Sequence, residues 1–289
     1  MAATDTNGLP DGVRLRDLRS DDVDAGLALS EEAGWNQVAD DWRWMIRHGR
    51  GWACVDPGER VVATALTLPG SKSFGWISMV LVTAAWRRRG IASVLMIRSI
   101  EALKAMGKTP GLDATPAGRT VYGPLGFNDI YGLTRFRAER PRPAPVSGVT
   151  RLRPLDGGDI ASLAARDLTV HGADRLALLK VLRQRAPSLA WVDETRQGYC
   201  LGRNGRVAHQ IGPVVAENSL MAMGLLHAAL SGVEGPVMID VPDRHVDLIN
   251  WLVRSGFQAE RPYTRMLLGT DRPTDDPDRV LAITGPELG

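Results

Sequence analysis

Arg14-Leu15-Arg16-Asp17-Leu18, near the start of the chain, returns near its middle as Arg151-Leu152-Arg153-Pro154-Leu155, and Asp22 and Asp159 follow at the same offset. The closing stretches correspond as well. Leu125-Gly126-Phe127 is followed by Thr134-Arg135-Phe136, and Ser255-Gly256-Phe257 by Thr264-Arg265-Met266. Each opening reads as a first strand leading into an acid-capped helix. Each closing reads as a helix stopped by a glycine in a left-handed turn, then a strand. Between them lie residues 139–149, ERPRPAPVSGV, whose three prolines predict an extended, poorly packing linker. A chain of 289 residues has room for two cores. The repeat therefore predicts a duplicated domain of about 130 residues, with residues 1–140 as the first copy and 148–289 as the second.

Hydrophobic periodicity predicts the order β-α-α-β-β-β-α-β-α-β for the first copy, an α/β (α+β) fold. Residues 13–16 read as a strand, 21–33 and 39–48 as helices, and 52–55 and 61–68 as strands joined by the turn Asp56-Pro57-Gly58-Glu59. Residues 76–82 are almost all apolar, which predicts a strand buried on both faces. A long helix follows and stops at Gly107. Leu95, Met96, Ile100, Leu103 and Met106 fall on one side of it, with Arg98, Glu101 and Lys104 opposite. Residues 111–114 then read as a strand, 117–125 as a helix containing Pro124, and 127–136 as strand. Trp42 and Trp44, two apart on a helix, must face different ways, one of them toward the core.

The segment with chemical content is Val80-Leu81-Val82-Thr83-Ala84-Ala85-Trp86-Arg87-Arg88-Arg89-Gly90-Ile91-Ala92. A buried strand runs into a loop, and the loop opens a helix. Glycine lets the backbone turn closely at the helix start. The first N–H groups of a helix lack intrahelical partners, and its dipole adds positive potential there. A diphosphate at that point is held by backbone donors, with arginines at the rim.

Arg87-x-x-Gly90-x-Ala92, between that strand and that amphipathic helix, resembles the signature of the GNAT superfamily of N-acetyltransferases. The likeness extends over roughly residues 13–138, in that family's element order. The whole layout resembles tandem-GNAT proteins. This implies two GNAT-like domains, each a mixed, mostly antiparallel sheet flanked by helices, with an acyl-CoA-binding catalytic domain first and a degenerate copy second. It further implies that the amides of Arg87, Arg88, Arg89, Gly90, Ile91 and Ala92 cradle the CoA diphosphate and that Arg87–Arg89 meet the 3′-phosphate. Val80, Leu81 and Val82 would pair with the pantetheine arm like an added strand, which needs a local splay of the sheet. Tyr122, four residues before Gly126-Phe127, matches the family's Tyr-x-x-x-Gly-Phe. A phenol there serves as general acid to the departing thiolate.

A protonated amine must lose its proton before attacking a thioester. The predicted strand before the loop carries no carboxylate, and Asp113, Glu31 and Glu32 are the nearest candidates. Trp35 and Asn36, between the first two helices, are the candidate acceptor contacts. The second half lacks the arginine signature; Ile211 to Asn218 stands in its place, with Pro213 removing a donor. Within that half His171, Asp174, Arg175, Asp240 and Asp243 are weaker candidates for the acceptor site, and His209 reads as a core residue.

The function implied is acyl-CoA-dependent N-acyl transfer, acetyl first, to a small amine or amino-acid-like acceptor. A CoA-sensing module without turnover and a protein-amine acetyltransferase are the alternatives. Two distant cysteines, Cys54 and Cys200, read as free buried thiols, and no metal site is expected. A net charge of +2 gives no case for nucleic acid, and no apolar run approaches the ~20 residues of a membrane span. The N-terminal residues show no secretory leader. The expectation is a cytoplasmic protein whose partner is a small molecule, with a homodimer left open.

Overall fold

The computed structural model describes residues 8–70, 73–149 and 151–289. The N-terminal stretch read for a leader is thus described only from Gly8, and Thr150, ahead of the second repeat, lies outside the described residues. The chain divides into two compact units, one ending at Gly111 and one starting at Leu112.

In the first unit the order is β1 (Arg14–Asp17), α1 (Val23–Glu32), α2 (Ala39–His48), β2 (Arg50–Val55), β3 (Val61–Leu68), β4 (Phe74–Val82), α3 (Ile91–Ala105) and β5 (Thr109–Ala114). The strands lie in the order β1-β2-β3-β4-β5. All neighbours are antiparallel except β4 and β5, which run parallel. Ile91, Leu95, Met96, Ile100 and Leu103 of α3 are buried, each contributing about 1.5–3 kcal/mol. Met106 departs from the expected face: the helix ends one residue earlier, and Met106 sits exposed in its cap. Trp42 is the core tryptophan. It is fully buried over Gly26, where any Cβ would strike the indole, and its Nε1–H donates to Ser30 Oγ at 3.0 Å.

The second unit holds the last residues of β5, then α4 (Pro116–Tyr122), β6 (Phe127–Ala138), β7 (Leu152–Pro154), α5 (Ile160–His171), α6 (Leu176–Arg185), β8 (Trp191–Asp193), β9 (Tyr199–Arg203), β10 (His209–Val215), α7 (Ser219–Leu230), β11 (Val237–Pro242), α8 (Val246–Arg254), β12 (Gln258–Leu268) and β13 (Val280–Ala282). Its strand order is β12-β6-β11-β10-β9-β8-β7, with β13 also paired to β10. β6 precedes the proline-rich segment in sequence, yet it makes its ladders with β12 and β11. The compact division therefore falls inside β5, upstream of that segment.

The proline-rich segment 139–149 has no fully buried residue, as a poorly packing linker would, yet its backbone amides are tied down. Prolines at 141, 143 and 145 leave Arg142 and Ala144 as the amide donors among them. Both are satisfied at the end of α8, on Ser255 O at 2.9 Å and Ser255 Oγ at 3.0 Å. Trp251 Nε1–H returns a bond to Ala144 O at 3.1 Å.

The repeat seen in sequence is also a repeat of bonds. Arg16 grips Asp22 with two contacts of 2.7 Å, and Arg19 N–H adds a third to the same carboxylate. Arg153 grips Asp159 at 2.6 and 2.8 Å, and Asp156 N–H plays the part of Arg19. Burial pushes the Asp22 carboxyl up, but the bonds from Arg16 and Arg19 outweigh it and leave it below the usual range. The Arg153 guanidinium, against a burial penalty, holds Asp159 well below that range. Gly126 and Gly256 take matching left-handed φ values of 93° and 88°. Cys54 and Cys200 are buried and free, and burial raises both thiols, Cys54 to about 12.

Candidate functional site

After Val82 the chain makes a 3-10 turn, Ala84–Trp86, and leaves Arg87 extended. Arg88 and Gly90 are left-handed, with φ 60° and 81°, and Gly90 is the N-cap of α3. An arginine in that region is strained, the kind of strain that persists where surroundings hold it for a purpose. Glycine brings no capping side chain. Among the described residues no acceptor reaches the N–H groups of Arg88, Arg89, Gly90, Ile91, Ala92 or Ser93. The start of α3 is therefore a row of unsatisfied donors at the positive end of a helix dipole.

The three arginines are not equivalent. Arg87 Nε–H donates to Val82 O at 2.9 Å, and its Nη2 lies 3.5 Å from Glu32. Arg89 stacks on the Trp86 ring at 4.9 Å. Arg88 is exposed and has no ion pair among the described residues. Glu32, at the end of α1, anchors the loop from the other side. It accepts from Thr83 Oγ1 at 2.6 Å and from Ala84 N–H at 2.5 Å. These two bonds, with Arg87 beside them, hold its carboxyl below its usual range. That is the wrong direction for a group that must take a proton from an ammonium. Nothing local in the sequence announces this role, because Glu32 and Thr83 meet only through the packing of α1 against the sheet.

β4 provides an open edge beside the loop. Its parallel ladder with β5 runs over three pairs, Phe74↔Thr109, Gly75↔Pro110 and Trp76↔Gly111, and then ends. β4 continues to Val82 with, among the described residues, no strand on that side. The opposite ladder, to β3, shifts register between Thr64 and Leu66. Met79 takes φ 52° in that bulge, and its carbonyl accepts from Thr64 Oγ1 at 2.9 Å. Thr83 N–H bonds to Val62 O at 2.9 Å. Antiparallel alternation then makes Leu81 the ladder partner of Thr64 and turns Val82 outward. Val80 and Val82 are half-buried and Leu81 is buried.

The loop after α1 is set by a glycine. Gly34 is left-handed at φ 69°, its N–H bonds to Glu31 O at 3.0 Å, and Trp35 N–H reaches back to Ser30 O at 2.8 Å. This paired closure of a helix end leaves Trp35 half-buried and Asn36 and Gln37 buried. Gln37 Oε1, Trp44 Nε1 and Ser78 Oγ are buried without a hydrogen-bond partner among the described residues. Each such atom costs about 1–3 kcal/mol unless something satisfies it.

Tyr122 belongs to the second unit, as the last residue of α4. Pro124 lies beyond that helix, in the 3-10 turn Gly123–Leu125, and not inside the helix as the sequence pattern predicted. The ring lies 6.1 Å from that of Phe127. Its hydroxyl has no partner among the described residues, and burial raises the phenol, keeping it protonated. Asp113 is not available as a base. Arg265 holds it in a buried bidentate pair at 3.0 and 2.9 Å, and also bonds Tyr131 and Asp275.

Four of the weaker candidates of the second half, Asp174, Arg175, Asp240 and Asp243, have structural partners, whereas His171 Nε2 is buried without a hydrogen-bond partner among the described residues. Asp167 takes both arms of Arg175 at 2.8 and 2.7 Å, and Asp240 takes both arms of Arg135 at 2.7 and 2.8 Å. Asp174 caps the N–H of Leu176 at 3.1 Å. Asp243 accepts from Thr134 Oγ1 at 2.7 Å. His209 is half-buried rather than in the core. His171 is buried beside Asp167 at 3.6 Å, and burial lowers its pKa to about 3.

The acetyltransferase (GNAT) family model matches residues 15–127, and an acetyltransferase (GNAT) domain model matches residues 164–282. The chain belongs to the GNAT family. The Bacillus subtilis protein named "Uncharacterized N-acetyltransferase YitH" is 24% identical over 249 residues, 84% of this chain and 87% of that protein. A crystal structure from Pyrococcus horikoshii covers 100% of both chains with TM-score 0.80 and 19% identity. A tandem GNAT protein from the clavulanic acid biosynthesis pathway covers 88% of this chain and 98% of its own, with TM-score 0.61 and 15% identity. At these identities the structural likeness is one of fold. The GNAT domains here thus stand in tandem, each with its own strand-loop-helix corner. Among the described residues no group of His, Cys, Asp or Glu could hold a metal ion, and no helix is long and apolar enough to cross a membrane.

Proposed function

We propose that the first GNAT domain transfers an acyl group, acetyl in the simplest case, directly from coenzyme A to the amine of a small or amino-acid-like acceptor. The observation that carries this reading is the row of unsatisfied N–H groups from Arg88 to Ser93 at the uncapped start of α3, beside the open edge of β4. Those donors suit a diphosphate. The Val82 N–H, turned outward on the free edge while its carbonyl is held by Arg87, suits a carbonyl of a pantetheine arm, and Arg88, without an ion pair among the described residues, suits the remaining phosphate. The bound thioester supplies an activated acyl carbon. Tyr122, kept neutral by burial, is suited to give its proton to the departing sulfur.

Glu32 and Asp113 are both committed to structural bonds. The amine therefore sheds its proton to water or reaches the site already neutral. Gln37 Oε1 and Ser78 Oγ, buried and unpaired, are suited to the polar groups of an acceptor beside Trp35 and Asn36. The test is to mix the protein with acetyl-CoA and a panel of amines and to follow thiol release while measuring acetyl-CoA binding by calorimetry. Turnover with at least one small amine supports the reading. Binding without turnover on any of them would make the domain a CoA-sensing module instead.

A further inference from the structure

We propose that segment 279–289 is a built-in occupant of the second domain's acyl-CoA cleft, so that the chain holds one acyl-CoA site and not two. This rests on reading the β4 edge as the donor site. β10 and β11 repeat the geometry of β4 and β5. They pair in parallel over three residues, His209↔Val237, Gln210↔Met238 and Ile211↔Ile239, and then part. The ladder on the other side of β10 shifts register between Ile211 and Val214, as that of β4 does at Met79.

The second wedge is filled. β13 lies antiparallel on the edge of β10 that β11 has left, with Val214↔Ala282 and Val215↔Val280 opposite each other. Ala216 N–H donates to Arg279 O at 3.1 Å, and Ile283 N–H donates to Asp240 O at 3.0 Å on β11. The segment therefore bonds to both arms of the wedge. Val280, Leu281, Ala282, Ile283 and Thr284 are fully buried. Gly212 has no room for a side chain, because a Cβ there would strike the Ile283 carbonyl. A peptide is a fitting substitute, since a strand edge engages amide groups of either origin with the same N–H and C=O groups.

The phosphate corner is closed as well. Asn218 caps α7 by accepting from Met221 N–H at 3.0 Å, where Gly90 leaves α3 bare. Glu217 places a carboxylate beside it, paired with Arg166 and, at 3.6 Å, with Arg279 of the segment itself. Arg175 Nη1 fastens the far part through Thr284 Oγ1 at 2.9 Å and Gly289 O at 3.3 Å, and Arg203 pairs with Glu287.

Hydrogen exchange on the full chain, with and without saturating CoA, tests this, together with the CoA count per chain by native mass spectrometry. Amides of 209–216 and 279–289 should exchange slowly without CoA and not change with it, and one CoA should bind. Those of 77–93 should slow at least tenfold on CoA addition. Two CoA per chain, or a CoA-dependent change at 209–216 or 279–289, would overturn the proposal. Silence at 77–93, with 209–216 and 279–289 slow, would leave the filled wedge standing and refute the donor site in the first domain. Gly212→Val should speed exchange of 279–289 and of Val214–Ala216 at least tenfold while β9 stays protected; unchanged exchange there also overturns it.

Discussion

The edge of β4 beyond its ladder with β5 and the wedge between β10 and β11 start from the same three-residue parallel ladder and end differently. The first opens onto bare helix donors, an exposed arginine and a free strand edge. The second holds a strand of its own chain, an asparagine cap and a carboxylate. The position four residues before the closing glycine follows suit: Tyr122 in the first copy, the fully buried Leu252 in the second. On the proposed reading that place receives an extended amide-bearing arm and must be filled by something, because an unpaired buried strand edge carries the cost of its unsatisfied N–H and C=O groups. One copy would then leave the place for a ligand, while the other satisfies it internally with β13.

The largest effect should come from closing the open corner. Gly90→Val puts a β-branched residue at φ 81°, where the added Cβ also presses on Gly8 O at 3.3 Å. The loop must re-form to relieve this. Affinity for acetyl-CoA measured by calorimetry should fall at least about 100-fold, roughly 2.7 kcal/mol. The change lies outside the helix interior, so the melting temperature should stay within a few degrees. Unaltered affinity would show that the phosphate is held elsewhere.

Next in size is the proposed proton donor. Tyr122→Phe keeps the ring against Phe127 and removes only the hydroxyl. It should lower kcat by about 100-fold and leave the acetyl-CoA Kd within twofold. Equal losses in both would make Tyr122 a binding residue rather than an acid.

Much of this contrast is visible in the sequence, and the reasons are local. The strand at 61–68 and the helix at 39–48 have the bounds that alternation and turn residues predict. The signature at Arg87–Ala92 and the glycines 126 and 256 are contiguous patterns with a backbone meaning. What escapes the sequence is nonlocal. Glu32 bonds Thr83 across about fifty residues of chain, β6 pairs with β12 from the far end of the repeat, and β13 is three residues long with no periodicity to betray it. The prolines at 141–145 fall short for a related reason: they predict extension correctly but say nothing of the partner that receives the remaining amides.

A third effect should be the same in both copies, which checks that they differ in the wedge and not in scaffold. Asp22→Asn and Asp159→Asn each remove the carboxylate that Arg16 or Arg153 grips, at a cost of about 2 kcal/mol at pH 7. Both carboxyls titrate below their unfolded value of about 3.9. Their contribution is thus complete above pH 4 to 5 and lost as pH falls through the folded values. Urea unfolding from pH 7 to pH 3 should show the wild type losing this advantage and each variant losing less. A variant that matches the wild-type slope would mean that its pair is not a source of the acid sensitivity.

The smallest effect should fall at the closed corner. Asn218→Ala frees Met221 N–H and its neighbours at the start of α7 and should cost about 1 kcal/mol of stability. Freed donors alone resemble those of α3, so the variant also asks whether donors suffice for a CoA site. They should not, because Glu217 still faces that corner and β13 still fills the edge beside it. The acetyl-CoA stoichiometry should therefore remain one per chain, with Kd unchanged. A second equivalent bound by Asn218→Ala would mean that a single cap, and not the filled wedge, separates the two domains.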